Sequence, residues 1–179
     1  MKRRKALKTF LSASVLPFLP FKDVLANDEC LTSDDILGPY FIEGAPNINI
    51  IAPNLANVNR LFITGTVYAK DCVTPIPNAF IDVWQANDDG AYEDIDYRAK
   101  IYTDETGNYG FESILPGKYL NGTYYRPSHI HYKVVYLNHP EFVTQLYFEG
   151  DTSIEDDPWA SDPSASERII PLTTDNLSV

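Results

Sequence analysis

The stretch AKIYTDETGNYGFESI, residues 99–114, reads as strand, turn, strand. Asp104-Glu105-Thr106-Gly107 is turn chemistry, and the flanks alternate with the period of two that a half-buried strand needs. The expectation is a β-hairpin. Working outward, RLFITGTVYA (60–69) is a strand candidate, KDCVTPIPNA (70–79) a loop and FIDVWQA (80–86) a strand. In the latter, Ile81 and Val83 share one face and Asp82 and Trp84 the other; Trp84 is read as core. Downstream come a Pro116-Gly117 turn, the strand HIHYKVVYL (129–137), a His-Pro loop, TQLYFEG (144–150) and one last short strand within SDPSASERIIPL (161–172). No stretch sustains a 3.6-residue apolar period. The fold class is therefore all-β, a β-sandwich of mostly antiparallel strands with few short helices.

Composition agrees. The 179 residues include 12 Tyr and 13 Pro but a single Met, which suits a loop-rich β protein better than a helical bundle. Length allows one domain with a sizeable core, and no internal repeat or low-complexity linker interrupts it. Residues 1–26 differ from the rest: Lys2, Arg3, Arg4 and Lys5 precede a mostly apolar run ending Val24-Leu25-Ala26. This reads as an export signal cleaved after Ala26, too short and Pro-broken to span a membrane. KRRKALK matches a twin-arginine pattern at Arg3, Arg4, Leu7 and Lys8 and departs from it at Lys2 and Ala6, so that route and the general secretory one both stay open. The chain is expected to be exported, periplasmic or secreted. Residues 27–58, irregular and punctuated by Gly, Pro and Asn, read as an arm; 59–179 form the core.

Six of the 14 basic residues and one of the 25 acidic ones lie in the leader, which leaves a strongly acidic body. Nucleic acid and anionic membrane are poor partners for it. The two cysteines, Cys30 and Cys72, form an even pair in an exported chain and are expected to make a disulfide tying the arm to the first strand region.

Two of the three histidines, His129 and His131, sit one residue apart in a strand and so aim two imidazoles at one spot, which suggests a metal. They do not complete a site. His139 is a third histidine, in an Asn-His-Pro-Glu loop. Tyr92 in NDDGAYED and Tyr119 in LPGKYLNG follow turns, and phenolate is a hard oxygen donor for a high-valent cation.

As a whole the pattern resembles the intradiol ring-cleavage dioxygenases. GPYF (38–41), PIPNAFIDVWQANDDGAY (75–92), TDETGNYGFESILPGKY (103–119), RPSHIHYKV (126–134) and TQLYFEGD (144–151) occur in the family's order. The resemblance implies one mononuclear non-haem Fe(III), held by Tyr92, Tyr119, His129 and His131. Tyr124 and Tyr125 lie close enough in sequence to Tyr119 to stand as alternatives for it. It further implies that Arg126 stabilises charge on the substrate ring, that Gln145 lies near the substrate, that Tyr40 lies by the pocket mouth, and that Tyr119 accepts a catechol proton. The partners would be a small aromatic diol and O2, with neutral catechols fitting an acidic body at least as well as anionic ones; a homo-oligomer is compatible.

Two other readings fit parts of the chain. The G-x-V…T-D-x-x-G-x-Y-x-F…P-G-x-Y rhythm is shared with transthyretin-like and surface-protein sandwich modules, which bind without chemistry. An exported Zn or Cu site using His129, His131 and His139 would leave Tyr92 and Arg126 unexplained.

Overall fold

A computed structural model describes residues 31–53, 60–137 and 139–174. The proposed leader and Cys30 lie outside these residues. Among the described residues there are nine strands: β1 (Arg60–Thr66), β2 (Phe80–Gln85), β3 (Arg98–Tyr102), β4 (Asn108–Ile114), β5 (Tyr119–Asn121), β6 (Tyr124–Arg126), β7 (His129–Val135), β8 (Phe142–Phe148) and β9 (Ile169–Ile170). The largest sheet has the order β3-β2-β7-β8-β9, antiparallel except for the β8–β9 pair. β1 pairs with β4, and β5 with β6. One 3₁₀ helix, Pro163–Arg168, is capped by Asp162, whose carboxylate accepts from the Ser164 N–H at 2.8 Å. Among the described residues no helix is long and apolar enough to cross a membrane.

The hairpin expected from residues 99–114 does not form. Its turn is present: Asp104 N–H donates to Asn108 O at 2.8 Å and Gly107 N–H to Asp104 O at 3.0 Å. The strands on either side then part. β3 sets Ala99 and Ile101 opposite Val83 and Ile81 of β2, whereas β4 sets Phe111 opposite Ile63 of β1. The stretch is a corner between two sheets. A turn is satisfied by local bonds whichever neighbours its strands take; partner choice comes from which apolar rows meet across the sandwich.

Those rows make the core. Ile81, Val83, Ala99, Ile101, Ile130, Tyr132 and Phe148 from the large sheet meet Ile63 and Phe111 from the β1–β4 pair, with Ile51 inserted from the arm. Each large apolar side chain buried this way contributes about 1.5–3 kcal/mol.

Strand alternation sends the intervening residues to the other face. The register places Trp84 opposite His131, His131 opposite Gln145, and His129 opposite Tyr147. Trp84 is buried, as expected of a core residue. It lies on the face away from Ile81 and Val83, stacked on His131 with ring centroids 4.7 Å apart.

The arm covers that second face. Residues 31–53 contain no strand; they are fastened by Asp35 N–H to Val143 O at 2.9 Å, by an Asp35–Arg168 ion pair, and by an isolated bridge from Ile50 to Glu112. Phe41 packs edge-on against Trp84, and Gly38 passes over the His131 ring.

Candidate metal centre

The site begins with β7, whose alternation turns His129 and His131 toward one point. The loop after β2 brings Tyr92 to meet them. The Tyr92 hydroxyl lies 3.2 Å from His129 Nε2 and 3.2 Å from His131 Nε2, and the two nitrogens are 3.2 Å apart. Donors about 2.1 Å from a common cation and subtending about 100° would be separated by such an edge, so the triangle fits a bound metal ion. Among the described residues no group of three His, Cys, Asp or Glu side chains is placed to hold one, so a cation here would need phenolic oxygen.

Protonation suits the same role. His129 Nδ1–H donates to the Pro127 carbonyl at 2.7 Å, which leaves the lone pair on Nε2, facing the triangle. Burial, then the nearby Arg126 charge, pushes His129 down to about 3. Burial, then its neighbour His129, holds His131 well below the ordinary imidazole value. Both rings are neutral donors at physiological pH. Burial raises the Tyr92 phenol well above 10, so without a cation it keeps its proton.

Tyr119 opens β5 with its ring 5.7 Å from those of both Tyr92 and His129. Burial raises its pKa, and the Arg126 charge opposes the rise. Of the alternatives, Tyr124 accepts a hydrogen bond from Asn121 Nδ2 at 2.8 Å, and Tyr125 is exposed. Tyr40 stacks on Tyr92 at 4.1 Å and meets Tyr119 edge-on at 6.0 Å, with 39% of its surface exposed. The structure thus brings Tyr40, Tyr92, Tyr119, His129 and His131 together. It does not bring His139, which stacks on Tyr136 beyond the far end of β7. At a strand rise of about 3.3 Å per residue, that is roughly 16 Å along the chain from His131 to Tyr136, so the three-histidine arrangement is not formed.

Arg126 ends β6 directly opposite Tyr119. It is buried, and its charge is held on three sides: Nε donates to Asp157 Oδ2 at 2.7 Å, Nη2 to Gln145 Oε1 at 2.9 Å and to the Tyr147 hydroxyl at 3.2 Å, and Trp159 lies under the guanidinium at 4.5 Å. Gln145 is fully buried, and its Nε2 donates to Asp35 Oδ1 at 3.1 Å and to Ile36 O at 2.8 Å.

Sequence reasoning missed Trp84, Asp157, Tyr147, Asp35 and the β5–β6 ladder. Two signals were present. Alternation already set Trp84 apart from Ile81 and Val83, and Asn121-Gly122 is a strong hairpin dipeptide, placed where it could bring Tyr119 opposite Arg126. Nothing in the sequence marks Asp157 out from the other acidic residues.

A family model described as Dioxygenase matches residues 36–178. Chlorocatechol 1,2-dioxygenase from Pseudomonas putida is 34% identical over 145 residues, 68% of this chain and 55% of its own length. The enzyme of that name from Rhodococcus opacus is 31% identical over 169 residues, 79% of this chain and 65% of its own. The chain thus spans a little over half to about two thirds of these relatives. The crystal structure of the Pseudomonas putida chlorocatechol enzyme superposes with a TM-score of 0.71 at 30% identity, covering 81% of this chain and 67% of that one. The dioxygenase domain of a dioxygenase carbohydrate-binding protein fusion from Streptomyces sp. SirexAA-E gives 0.65 at 30% identity, covering 74% and 83%.

Proposed function

This chain belongs to the intradiol ring-cleavage dioxygenase family, and from that premise we propose that it opens a catechol ring between its two hydroxylated carbons, using O2 and one ferric ion held by Tyr92, Tyr119, His129 and His131, to give a muconate-type dicarboxylic acid. The observation that carries this reading is the triangle of 3.2 Å edges joining Tyr92 Oη, His129 Nε2 and His131 Nε2, with the Tyr119 ring beside it.

Ferric iron bound there would supply Lewis-acid activation of a catecholate and the redox partner for its reaction with O2. The protein's own groups do the rest. His129 and His131 are neutral lone-pair donors whose burial keeps them so. Tyr119 would hold the ferric ion as a phenolate, and on release its oxygen would take a proton from the incoming diol to become the phenol that burial favours. Arg126 holds a fixed positive charge beside the ring, where negative charge develops as oxygen adds. Gln145 acts through Arg126, since both ends of its amide are bonded to protein groups. Tyr40 walls the entrance over Tyr92.

Neutral catechols are the substrate class favoured. The relatives are named for chlorocatechol, catechol and hydroxyquinol. The body outside residues 1–26 is strongly acidic and offers no net positive field to draw in a substrate carboxylate. The reading extends to export directed by residues 1–26 and to a Cys30–Cys72 disulfide. Intact-mass measurement of protein recovered from the cell envelope or medium, with thiol titration, checks both.

The test of function is a visible spectrum of the iron-loaded protein before and after anaerobic addition of catechol, followed by O2. A tyrosinate-to-iron band that shifts with catechol, then a muconate product, is expected. A protein that stays colourless with Fe(III) overturns the reading.

A further inference from the structure

Tyr92 lies on the loop after β2 and Tyr119 at the start of β5, yet one residue, Asn87, bonds to the segments that carry them. Asn87 follows β2 by two positions. Its N–H donates to Ala91 O at 2.8 Å. Its Oδ1 accepts from Asp89 N–H at 3.1 Å and Ala91 N–H at 2.9 Å, and its Nδ2 donates to Glu93 Oε1 at 3.0 Å. Tyr92 is thereby bracketed, with the residues on both sides of it tied to one side chain. The Asn87 carbonyl accepts from Gly90 N–H at 3.1 Å and from Gly117 N–H at 2.8 Å. Gly117 lies two residues before Tyr119, on the other loop.

The two loops touch backbone to backbone. A Cβ at Gly90 would collide with the Lys118 carbonyl, and one at Gly117 with Asp88 O and Gly90 N. Gly90 also has φ +82°, a conformation costly for residues with a side chain. Any shift of the first loop is therefore passed to the second. The two phenol rings meet at 5.7 Å and 82° across this junction.

We infer that Asn87 is a positioning residue, which fixes Tyr92 relative to Tyr119 and so sets the geometry of the phenolate pair. The inference rests on the iron-site reading above. It predicts that a polar side chain touching neither metal nor substrate controls the tyrosinate signature.

The test compares wild type with Asn87→Ala and Asn87→Asp, the latter keeping the Oδ1 acceptor but replacing the Nδ2 donor to Glu93 with a carboxylate oxygen. In metal-free Asn87→Ala, amide exchange at Ala91 and Gly117 should rise at least ~10-fold while Ile81 and Ile130 stay protected. Loaded with Fe(III), Asn87→Ala should bind iron roughly 10-fold or more weakly and show a displaced tyrosinate band, as loss of a metal site's outer-shell support does. Asn87→Asp, which keeps the Ala91 side of the bracket and loses the Glu93 side, should displace the band less than Asn87→Ala does. If Asn87→Ala melts earlier but keeps wild-type iron affinity and band, the residue is only a loop stabiliser and the inference fails. If Asn87→Ala does not fold, a displaced band in Asn87→Asp supports the inference and a wild-type band overturns it. A wild type without any band overturns the iron reading instead. In that case Gly117 exchange still decides the coupling of the two loops: unchanged protection in the metal-free variant overturns it.

Discussion

The two faces of the large sheet are built from the same strands and differ in almost every other respect. On one face Ile81, Val83, Ile130 and Tyr132 pack against the β1–β4 pair, and the cluster they join is hydrophobic. On the other, one residue along each strand, Trp84, His129, His131, Gln145 and Tyr147 are just as buried but are covered by the arm and by polar partners. Burial on the first face stabilises the fold without regard to direction. On the second, polar groups are held by specific partners, some distant in the chain, as Asp157 is from Arg126 and Asp35 from Tyr147, and some near, as the Pro127 carbonyl is to His129. Burying such groups costs free energy unless their bonds are made. A site face is therefore held by specific bonds, where the core face is held by volume.

The sharpest way to break this comparison uses neighbours in one strand. Ile130→Ala should lower stability by about 2–5 kcal/mol, read in urea, by opening a cavity in the core. His131→Ala should leave the fold cooperative while iron binding and ring cleavage disappear. If both variants lose stability equally, the second face is core in all but name.

Next in size is the buried ion pair. Asp157→Ala leaves the Arg126 charge enclosed without its carboxylate and should cost about 3–5 kcal/mol. Asp157→Asn has one oxygen for donors on two sides, Arg126 Nε and the Trp159 and Ala160 N–H groups, and should cost less than the alanine, which has none. Its ring-cleavage kcat should fall while its catechol KM stays near wild type. An unchanged kcat would show that the position of Arg126 does not matter to the chemistry.

The same division explains what the sequence revealed. Alternation in FIDVWQ and HIHYKVV was enough to separate Ile81 and Val83 from Asp82 and Trp84 and to aim two histidines at one point, because period two is local and unconditional. The resemblance supplied Tyr92 and Tyr119, which no spacing rule would have joined. Trp84 is buried as the sequence suggested, but its stacking on His131 was not read, although its own strand's alternation set it apart from Ile81 and Val83. Asp157 stayed invisible because its partner lies 31 residues away, across a fold that must exist before the pair can. The β3–β4 corner was mistaken for a hairpin because its turn bonds are the same in either topology.

A milder probe concerns the rim. Tyr40 stacks on Tyr92 while more than a third of it faces solvent. Tyr40→Ala removes an aromatic pair worth about 0.5–1.5 kcal/mol, so catechol KM should rise roughly 3- to 10-fold with kcat little changed. Tyr40→Phe keeps the stack and should behave as wild type. A fall in kcat for Tyr40→Phe would tie its hydroxyl to the reaction rather than to the pocket wall.

The smallest effect is expected at the corner with which the core face begins. Asp104 Oδ1 accepts from Asn108 N–H at 2.9 Å, and from Thr106 N–H and Oγ1 at 2.8 Å each. The Asn108 backbone bond, then the Thr106 hydroxyl, hold this carboxyl below its ordinary value of 3.8. A carboxylate whose folded pKa is depressed adds stability above the unfolded value and loses it as pH falls through the folded one. Asp104→Asn keeps an acceptor but not the charge. Wild type should thus melt slightly higher than the variant at pH 6, and the difference should close as pH drops below 3.8. A gap that persists unchanged into acid would mean that the corner is held by the shape of its turn and owes nothing to the ionised side chain. The contrast with Arg126–Asp157 would then be sharper still, since charge would matter only on the face that carries the site.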